Sequence, residues 1–300
     1  MIEKLAKIVS LDRIKKDEML KKHTSFKIGG PADYYVIVNN KEELRKLISF
    51  AKKENISYFL LGNGSNLLVG DLGIRGIVIK LSGEFDEVLV KGKHLKAGAG
   101  AMLSKVAKAA MDASLTGLEF AAGIPGSVGG ALLMNAGAYG GEMKQVVKSV
   151  DLLDADGNII TLTNEEMKFA YRRSVMKDRE LIALSCEIAL ETGDSVEIRK
   201  YMQELASKRK EKQPLEYPSA GSTFKRPEGY FAGKLIEDSG LGGYSVGNAQ
   251  VSMKHKGFVI NKGNATAEDV KNLIESVTQI VKDKQGVTLE PEVIMVGEFR

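Results

Sequence analysis

The segment AAGIPGSVGGALLMNAGAYGGE, residues 121–142, places seven glycines in a stretch that is otherwise apolar and almost uncharged. Loops normally run over the surface and are polar, because a buried loop must satisfy its backbone polar groups. An apolar, glycine-dense stretch therefore implies backbone laid closely against a large flat ligand, or a buried crossover between two sheets. A second glycine turn, LLGNGSNLLVGD (60–71), follows a short apolar run and sets Gly62, Gly64, Ser65 and Asn66 in near succession. Consecutive backbone N–H groups in such a turn form a concavity suited to phosphate oxygens. It is neither a G-x-G-x-x-G fingerprint nor a Walker A loop, and taken alone it reads as a tight structural turn. Two glycine loops about sixty residues apart, both able to offer N–H groups, favour a diphosphate-bearing cofactor over two unrelated turns.

Several classes are excluded by composition. Three hundred residues at 43% hydrophobic content suffice for two domains with their own cores. No run of eighteen apolar residues exists and the N-terminal MIEKLAKIVSLDRIKKDEM is charged throughout, so neither a membrane span nor a signal peptide is expected and the chain reads as cytoplasmic. The net charge of +4 comes from 43 basic and 39 acidic residues scattered along the chain, which speaks against nucleic acid and suits a small anionic ligand. The single cysteine, Cys186 in LIALSCEIALE, reads as a buried strand residue. His23, His94 and His255 are far apart, with no H-E-x-x-H, so no metal site is expected.

Periodicity predicts helices over KEELRKLISFAKKEN (41–55), 101–113, about 194–211 and about 267–284, the last with Thr266 and Asp269 as a capping box. Strands are expected at YFLLG, GIVIKL, FDEVLV, KHLKAGAG, VKSVDLLDA, NIITL, LIALSCEIALE, GFVIN and PEVIMVGEF, with DADGN as a hairpin turn and FAGKLIEDSGL as a short helix. Irregular strands with interspersed helices give an α+β class rather than repeating βαβ units. Pro214, after the charged SKRKEKQ, marks a domain boundary.

Ser222, in SAGSTFKRP, is the residue most open to a chemical reading. A nucleophile needs a base and an elbow of the G-x-S-x-G type; A-G-S-T-F lacks the second glycine and no histidine is implicated, so a turn residue is the plainer reading. Arg172, near Phe169 and Tyr171, should be partly buried, where a guanidinium grips a carboxylate bidentately. Lys212, Glu290 and Glu292 read in isolation as solvated charges.

Seven stretches in order, HTSFKIGGPAD (23–33), LLGNGSNLLV (60–69), GIPGSVGGALLMNAGAYGGE (123–142), YRRS (171–174), AGSTFKRP (220–227), AGKLIEDSGL (232–241) and GVTLEPEV (286–293), resemble the UDP-N-acetylenolpyruvoylglucosamine reductase family along nearly the whole chain. The resemblance implies a vanillyl-alcohol-oxidase (PCMH) type FAD-binding fold of two subdomains, with a smaller α+β substrate domain. Residues 1–210 would form the FAD region, as subdomains of about 1–82 and 83–210, the first completed by the C-terminal strand; residues 211–300 would form the substrate domain. It also implies an FAD-dependent oxidoreductase of peptidoglycan precursor synthesis. NADPH reduces the flavin, which passes hydride to carbon 3 of UDP-N-acetylglucosamine enolpyruvate to give UDP-N-acetylmuramate. A monomer is expected.

By matching positions, Gly62, Asn63, Gly64, Ser65, Asn66 and Leu67 would hold the FAD diphosphate, and Gly123, Pro125, Gly126, Ser127, Gly129 and Gly130 would run along the cofactor. Neither loop contains His or Cys, so FAD would be non-covalent. Ser222 matches the proton donor to carbon 2, Arg172 and Glu292 the pair that polarises the substrate carboxylate and stabilises the enolate. Tyr139 and Lys212 match UDP-sugar contacts, and Arg226 occupies a contact position where some members carry Asn. Fifty positions separate Arg172 from Ser222, so the chain resembles the shorter subclass, without the inserted loop whose tyrosine covers the substrate. Another flavoenzyme of this fold would share the glycine loops but has no reason to carry Arg172, Ser222 and Glu292 together. A non-catalytic sugar-nucleotide binder would have no flavin.

Overall fold

A computed structural model describes residues 1–300. The chain forms two compact units: Met1–Lys15 with Tyr35–Asn63 and Ile77–Arg209, and Lys16–Tyr34 with Gly64–Gly76 and Lys210–Arg300.

The first unit is built on a five-stranded antiparallel sheet in the order Ile159–Thr163, Val147–Leu153, Ile182–Ala189, His94–Gly98, Val88–Lys91. The DADGN turn joins the first two of these strands, and Asp154 Oδ1 accepts the N–H groups of Asp156 and Asn158, which fixes the reversal. Helix Lys41–Lys53 turns Leu44, Leu47, Ile48 and Ala51 inward at helical spacing, and Asn40 caps it by accepting the Glu43 N–H at 2.9 Å. Strand Tyr58–Leu61 follows and pairs in parallel with residues 77–80. Helix Leu103–Asp112 buries Leu103, Val106, Ala107, Ala110 and Met111. The glycine-dense segment contains a short helix of its own, Val128–Met134, which the sequence pattern does not reveal.

In the second unit a four-stranded antiparallel sheet runs in the order Ser219–Ser222, Phe258–Asn261, Ala249–Val251, Ser245–Val246. Helix Ala267–Gln285 buries Val270, Leu273, Ile274, Val277 and Val281. The expected capping box is formed by Thr266 and Asp269, and the Asp71 carboxylate also accepts from the N–H groups of Ala267 and Glu268. Phe26, Ile28 and Leu68 share this core with Ala220, Ile236, Val259 and Leu273. Strand Leu67–Val69 pairs in parallel with Ile294–Val296. The compact units are therefore composed differently from a 1–210 and 211–300 division: residues 16–34 and 64–76 lie with the C-terminal third, because their apolar side chains are buried in its core. Only Ile294–Val296 of the expected terminal strand is regular; Pro291 instead forms an isolated bridge with Phe224.

Candidate active site

The glycine loops meet within the first unit. A Cβ on Gly62 would lie 2.8 Å from Ser127 Oγ, and Asn63 Nδ2 donates to the Pro125 carbonyl at 2.7 Å. Lys80 Nζ donates to the Gly62 carbonyl at 2.7 Å, and burial lowers the pKa of its ammonium. Within this unit the backbone N–H groups of Asn63, Gly126 and Ser127 donate to no protein acceptor. Unsatisfied donors at the contact of two half-buried loops are costly unless an anion or water takes them, and together they fit a diphosphate. Farther along the second loop the backbone is committed to structure: the N–H of Gly129 donates to Ala99, and Ser127 caps the helix through the Gly130 N–H.

Gly64 is required for another reason. Its φ is +60°, and a Cβ there would stand 2.2 Å from the His23 carbonyl oxygen. Gly64 is thus seated, within the second unit, on the HTSF motif, where the Ser25 N–H donates to the Gly64 carbonyl at 3.1 Å and Ser25 Oγ donates to the Ser219 carbonyl at 2.7 Å. Leu67 opens the strand that pairs with Ile294–Val296.

Among the first unit's residues in left-handed backbone are two of the candidate site residues, Tyr139 and Arg172, a conformation that is unusual for bulky side chains and concentrates at functional positions. Tyr139 (φ 54°) and Gly140 (φ 87°) form the two-residue turn of a hairpin joining Gly137–Ala138 to Gly141–Glu142, and the tyrosine is 42% exposed. Arg172 (φ 55°) lies in a tight turn closed by reciprocal backbone hydrogen bonds between Ala170 and Arg173, with its guanidinium 5.1 Å from the Tyr171 ring centroid. Phe169 is buried as expected, whereas Tyr171 is exposed.

In the second unit Ser222 ends its strand opposite Phe258. The next residue, Thr223, ties three segments together: its N–H donates to Gly257, its Oγ1 accepts from Val259, and its carbonyl accepts the Glu292 N–H at 2.8 Å. The Glu292 carbonyl accepts from Asn66 Nδ2 at 3.2 Å. Ser222 Oγ makes no protein hydrogen bond, and a Cβ on neighbouring Gly221 would meet nothing within 4 Å. Glu292 is half-buried; Glu290 is exposed and paired with Lys225 Nζ. Arg226 stacks its guanidinium 4.0 Å from the Phe231 ring centroid and donates through Nε to the Tyr230 carbonyl. Lys212 is the exposed last residue of helix Ser195–Lys212. His23 and His94 pair with Glu18 and Glu187, and His255 Nδ1 accepts from Gly257. No group of three or more His, Cys, Asp or Glu could hold a metal ion, and burial pushes the Cys186 thiol up to about 12. Ser25, Asn66 as a tie to Glu292, and the buried Asn135 are functional-site neighbours that sequence reasoning left without a role; the quoted HTSF and NAGAYG motifs were the available signal.

Residues 32–163 match the family described as FAD binding domain, and residues 213–296 match UDP-N-acetylenolpyruvoylglucosamine reductase, C-terminal domain. Among the curated relatives, the UDP-N-acetylenolpyruvoylglucosamine reductase of Caldanaerobacter subterraneus subsp. tengcongensis is 55% identical over 298 residues, covering 99% of this chain and 98% of the relative. That of Clostridioides difficile is 51% identical over 98% of this chain and 97% of its own. The chain belongs to the UDP-N-acetylenolpyruvoylglucosamine reductase family.

The crystal structure of UDP-N-acetylenolpyruvylglucosamine reductase from Thermus caldophilus superposes with a TM-score of 0.82 at 37% identity, covering 94% of this chain and 98% of that one. Wild-type Phl p 4.0202, a glucose dehydrogenase, has a TM-score of 0.50 at 15% identity over 64% of this chain and 44% of that one, a likeness of fold alone. The fold is α+β, an FAD-binding fold of the vanillyl-alcohol-oxidase type followed by the reductase family's C-terminal domain. As a reductase of this family the protein is an FAD-dependent oxidoreductase of peptidoglycan precursor synthesis. The FAD-domain match contains both glycine loops and Tyr139, the C-terminal match contains Ser222, Arg226 and Glu292, and Arg172 and Lys212 lie between the two. No helix is long and apolar enough to cross a membrane.

Proposed function

We propose that this chain reduces UDP-N-acetylglucosamine enolpyruvate to UDP-N-acetylmuramate with NADPH as the reductant, residues 1–210 serving the flavin and 211–300 the sugar nucleotide. The observation that carries the reading is the Thr223–Glu292 backbone bond, which fixes Ser222 beside the Glu292 segment while Ser222 Oγ has no protein partner. A nucleophilic serine needs a base on its hydroxyl; a serine that gives its proton to the substrate needs an accessible hydroxyl and stabilised charge nearby.

When bound and reduced by NADPH, FAD supplies the hydride that reaches carbon 3 of the enolpyruvyl group. The residues of the two glycine loops from Gly62 to Leu67 and from Gly123 to Gly130 would hold it non-covalently, and the backbone N–H groups among them that have no protein acceptor suit its diphosphate. Arg172 neutralises the substrate carboxylate and, with Glu292 as the neutral acid donating a hydrogen bond, stabilises the negative charge that spreads onto it as the carbon 2–carbon 3 double bond is lost. Ser222 delivers the proton that forms the new C–H bond at carbon 2, and its alkoxide regains a proton from solvent. An alcohol is a weak acid, and it serves here because the acceptor is a strongly basic carbanion-like centre. Tyr139, Lys212 and Arg226 contact the UDP-sugar, the two cations taking its diphosphate. The enzyme acts as a cytoplasmic monomer.

Anaerobic stopped-flow separates the half-reactions. Ser222→Ala leaves flavin reduction by NADPH intact and slows reoxidation by the enolpyruvyl substrate by about 10² to 10⁴-fold, the usual worth of a general acid. Unchanged reoxidation reduces Ser222 to a turn residue, and a colourless protein without FAD affinity removes the whole reading.

A further inference from the structure

Asn135 is 1% exposed and stands where three pieces of the first unit converge. It caps the C-terminus of helix Val128–Met134 in left-handed backbone (φ 42°, ψ 54°), a conformation that Asn tolerates better than most residues. That helix begins at Ser127 of the second glycine loop. The Asn135 side chain then reaches outward in both directions. Its Oδ1 accepts the Lys144 N–H at 2.9 Å, and its Nδ2 donates to Glu142 Oε2 at 3.0 Å and to the Ala170 carbonyl at 3.2 Å. A backbone donor on one side and two oxygens on the other admit only one orientation of the amide.

The two Nδ2 bonds each lead to a turn that holds a residue in left-handed backbone. Glu142 pairs with Gly137 in the hairpin whose turn is Tyr139–Gly140. The hairpin lies flat on Phe120, where a Cβ on Gly141 would meet the ring at 2.4 Å, and Gln145 Nε2 holds the Gly140 carbonyl at 3.2 Å. Ala170 closes the turn that contains Arg172. The fully buried Ser174, just after that turn, donates from Oγ to the Leu133 carbonyl at 3.1 Å, a second tie to the same helix.

We infer that Asn135 is a positioning residue of the half-reaction in which substrate reoxidises the flavin: one buried amide sets the Tyr139 hairpin and the Arg172 turn in register with the glycine loop. This rests on the assignment of Tyr139 and Arg172 to the substrate. A plain helix cap needs only the backbone conformation, which glycine also adopts; the three side-chain bonds serve the two flanking turns.

The test uses the flavoprotein carrying Asn135→Gly, which keeps the left-handed backbone and deletes the amide. Asn135→Asp is the second variant; it retains the acceptor for Lys144 but turns an oxygen toward Glu142 and Ala170. Flavin content, flavin reduction by NADPH and reoxidation over a range of UDP-N-acetylglucosamine enolpyruvate concentrations are measured for each. Both variants are expected to keep flavin and the NADPH step, and to lose about 10- to 100-fold in reoxidation, the scale of a displacement of about 1 Å in a substrate-holding group. In an Arg172→Ala background, where the main beneficiary is gone, Asn135→Gly should cost less than about threefold, since effects that run through one residue are not additive. Normal reoxidation in both variants, parallel loss of both half-reactions, failure of both to fold, or an undiminished effect in the Arg172→Ala background each overturns the inference. If Arg172→Ala itself reoxidises normally, the assignment of Arg172 fails and takes the inference with it; slow Arg172→Ala beside normal Asn135 variants sinks the inference alone.

Discussion

Two glutamates two positions apart meet different surroundings, and the difference is measurable. Lys225 pairs with the exposed Glu290 carboxylate and its N–H donates to the Glu290 carbonyl, so this side chain is spoken for at the surface. Glu292 is half-buried, with its backbone clamped between Thr223 and Asn66. Glu290→Gln should leave turnover within about twofold, as expected for an exposed ion pair, whereas Glu292→Gln should lower the rate of flavin reoxidation by about 10²-fold or more. Equal losses in stopped-flow would remove the preference for Glu292. Alternation alone leaves the two interchangeable, since it puts both on one face of any strand drawn through LEPEV, and the preference for Glu292 came from the family resemblance. The structure separates them by making Pro291 a bridge to Phe224 and giving Glu290 a cation of its own. Ser222, Arg172 and Tyr139 could be nominated from motif order; Asn135 lies in the quoted NAGAYG motif but drew no role, because its bond to Ala170 spans 35 positions and that partner cannot be read locally.

At the scale of elements, the best-marked helices were the easiest to read. Periodic apolar positions with a cap or capping box specify Lys41–Lys53 and Ala267–Gln285 locally. Helix Val128–Met134 escaped because glycines at 129 and 130 lower helix propensity and its apolar residues follow no clear face. Nothing was assigned to the strands Ile14–Met19 and Pro31–Val38, whose alternation is interrupted by charge or carried by tyrosines. The first turn of Lys41–Lys53 also holds a pH-sensitive contact. Arg13 donates to both oxygens of Glu43 at 2.7 Å, and the Asn39 N–H adds a third bond. The hydrogen bonds from Arg13, foremost, hold the Glu43 carboxyl below its ordinary 4.5. A carboxyl with a depressed folded pKa stabilises the fold fully above its unfolded value and loses that contribution as pH falls through the folded one. Glu43→Gln should therefore cost about 1–3 kcal/mol near neutrality, the range for hydrogen bonds to a charged group. The gap from the parent protein in urea midpoints should close as pH falls below the ordinary carboxyl value; a gap independent of pH would mean that ionisation of Glu43 is immaterial.

For the molecule as a whole, sequence order and packing order part company. Composition and the helix end near Pro214 point to a boundary there, yet Phe26, Ile28 and Leu68 are core residues alongside Ala220, Val259 and Leu273. Such long-range burial cannot be read from local periodicity, since each of these segments is too short to carry a pattern. A fragment of residues 211–300 expressed alone leaves the places of those three side chains unfilled, and deleting a buried Leu or Phe costs about 2–5 kcal/mol each. It should show no cooperative thermal transition by circular dichroism, and a sharp two-state melt would show that the C-terminal third carries a sufficient core by itself.

The parallel pairing of Leu67–Val69 with Ile294–Val296, and the bond from the Ile294 N–H to the Asn66 carbonyl, have a bearing on how the protein is born. Chains are made from the N-terminus and domains fold as they emerge. Here the residues of the 62–66 turn are made early, but the strand Ile294–Val296 that braces it is made only after the residues between them. The turn therefore gains its parallel strand partner late in synthesis, however early its own residues emerge.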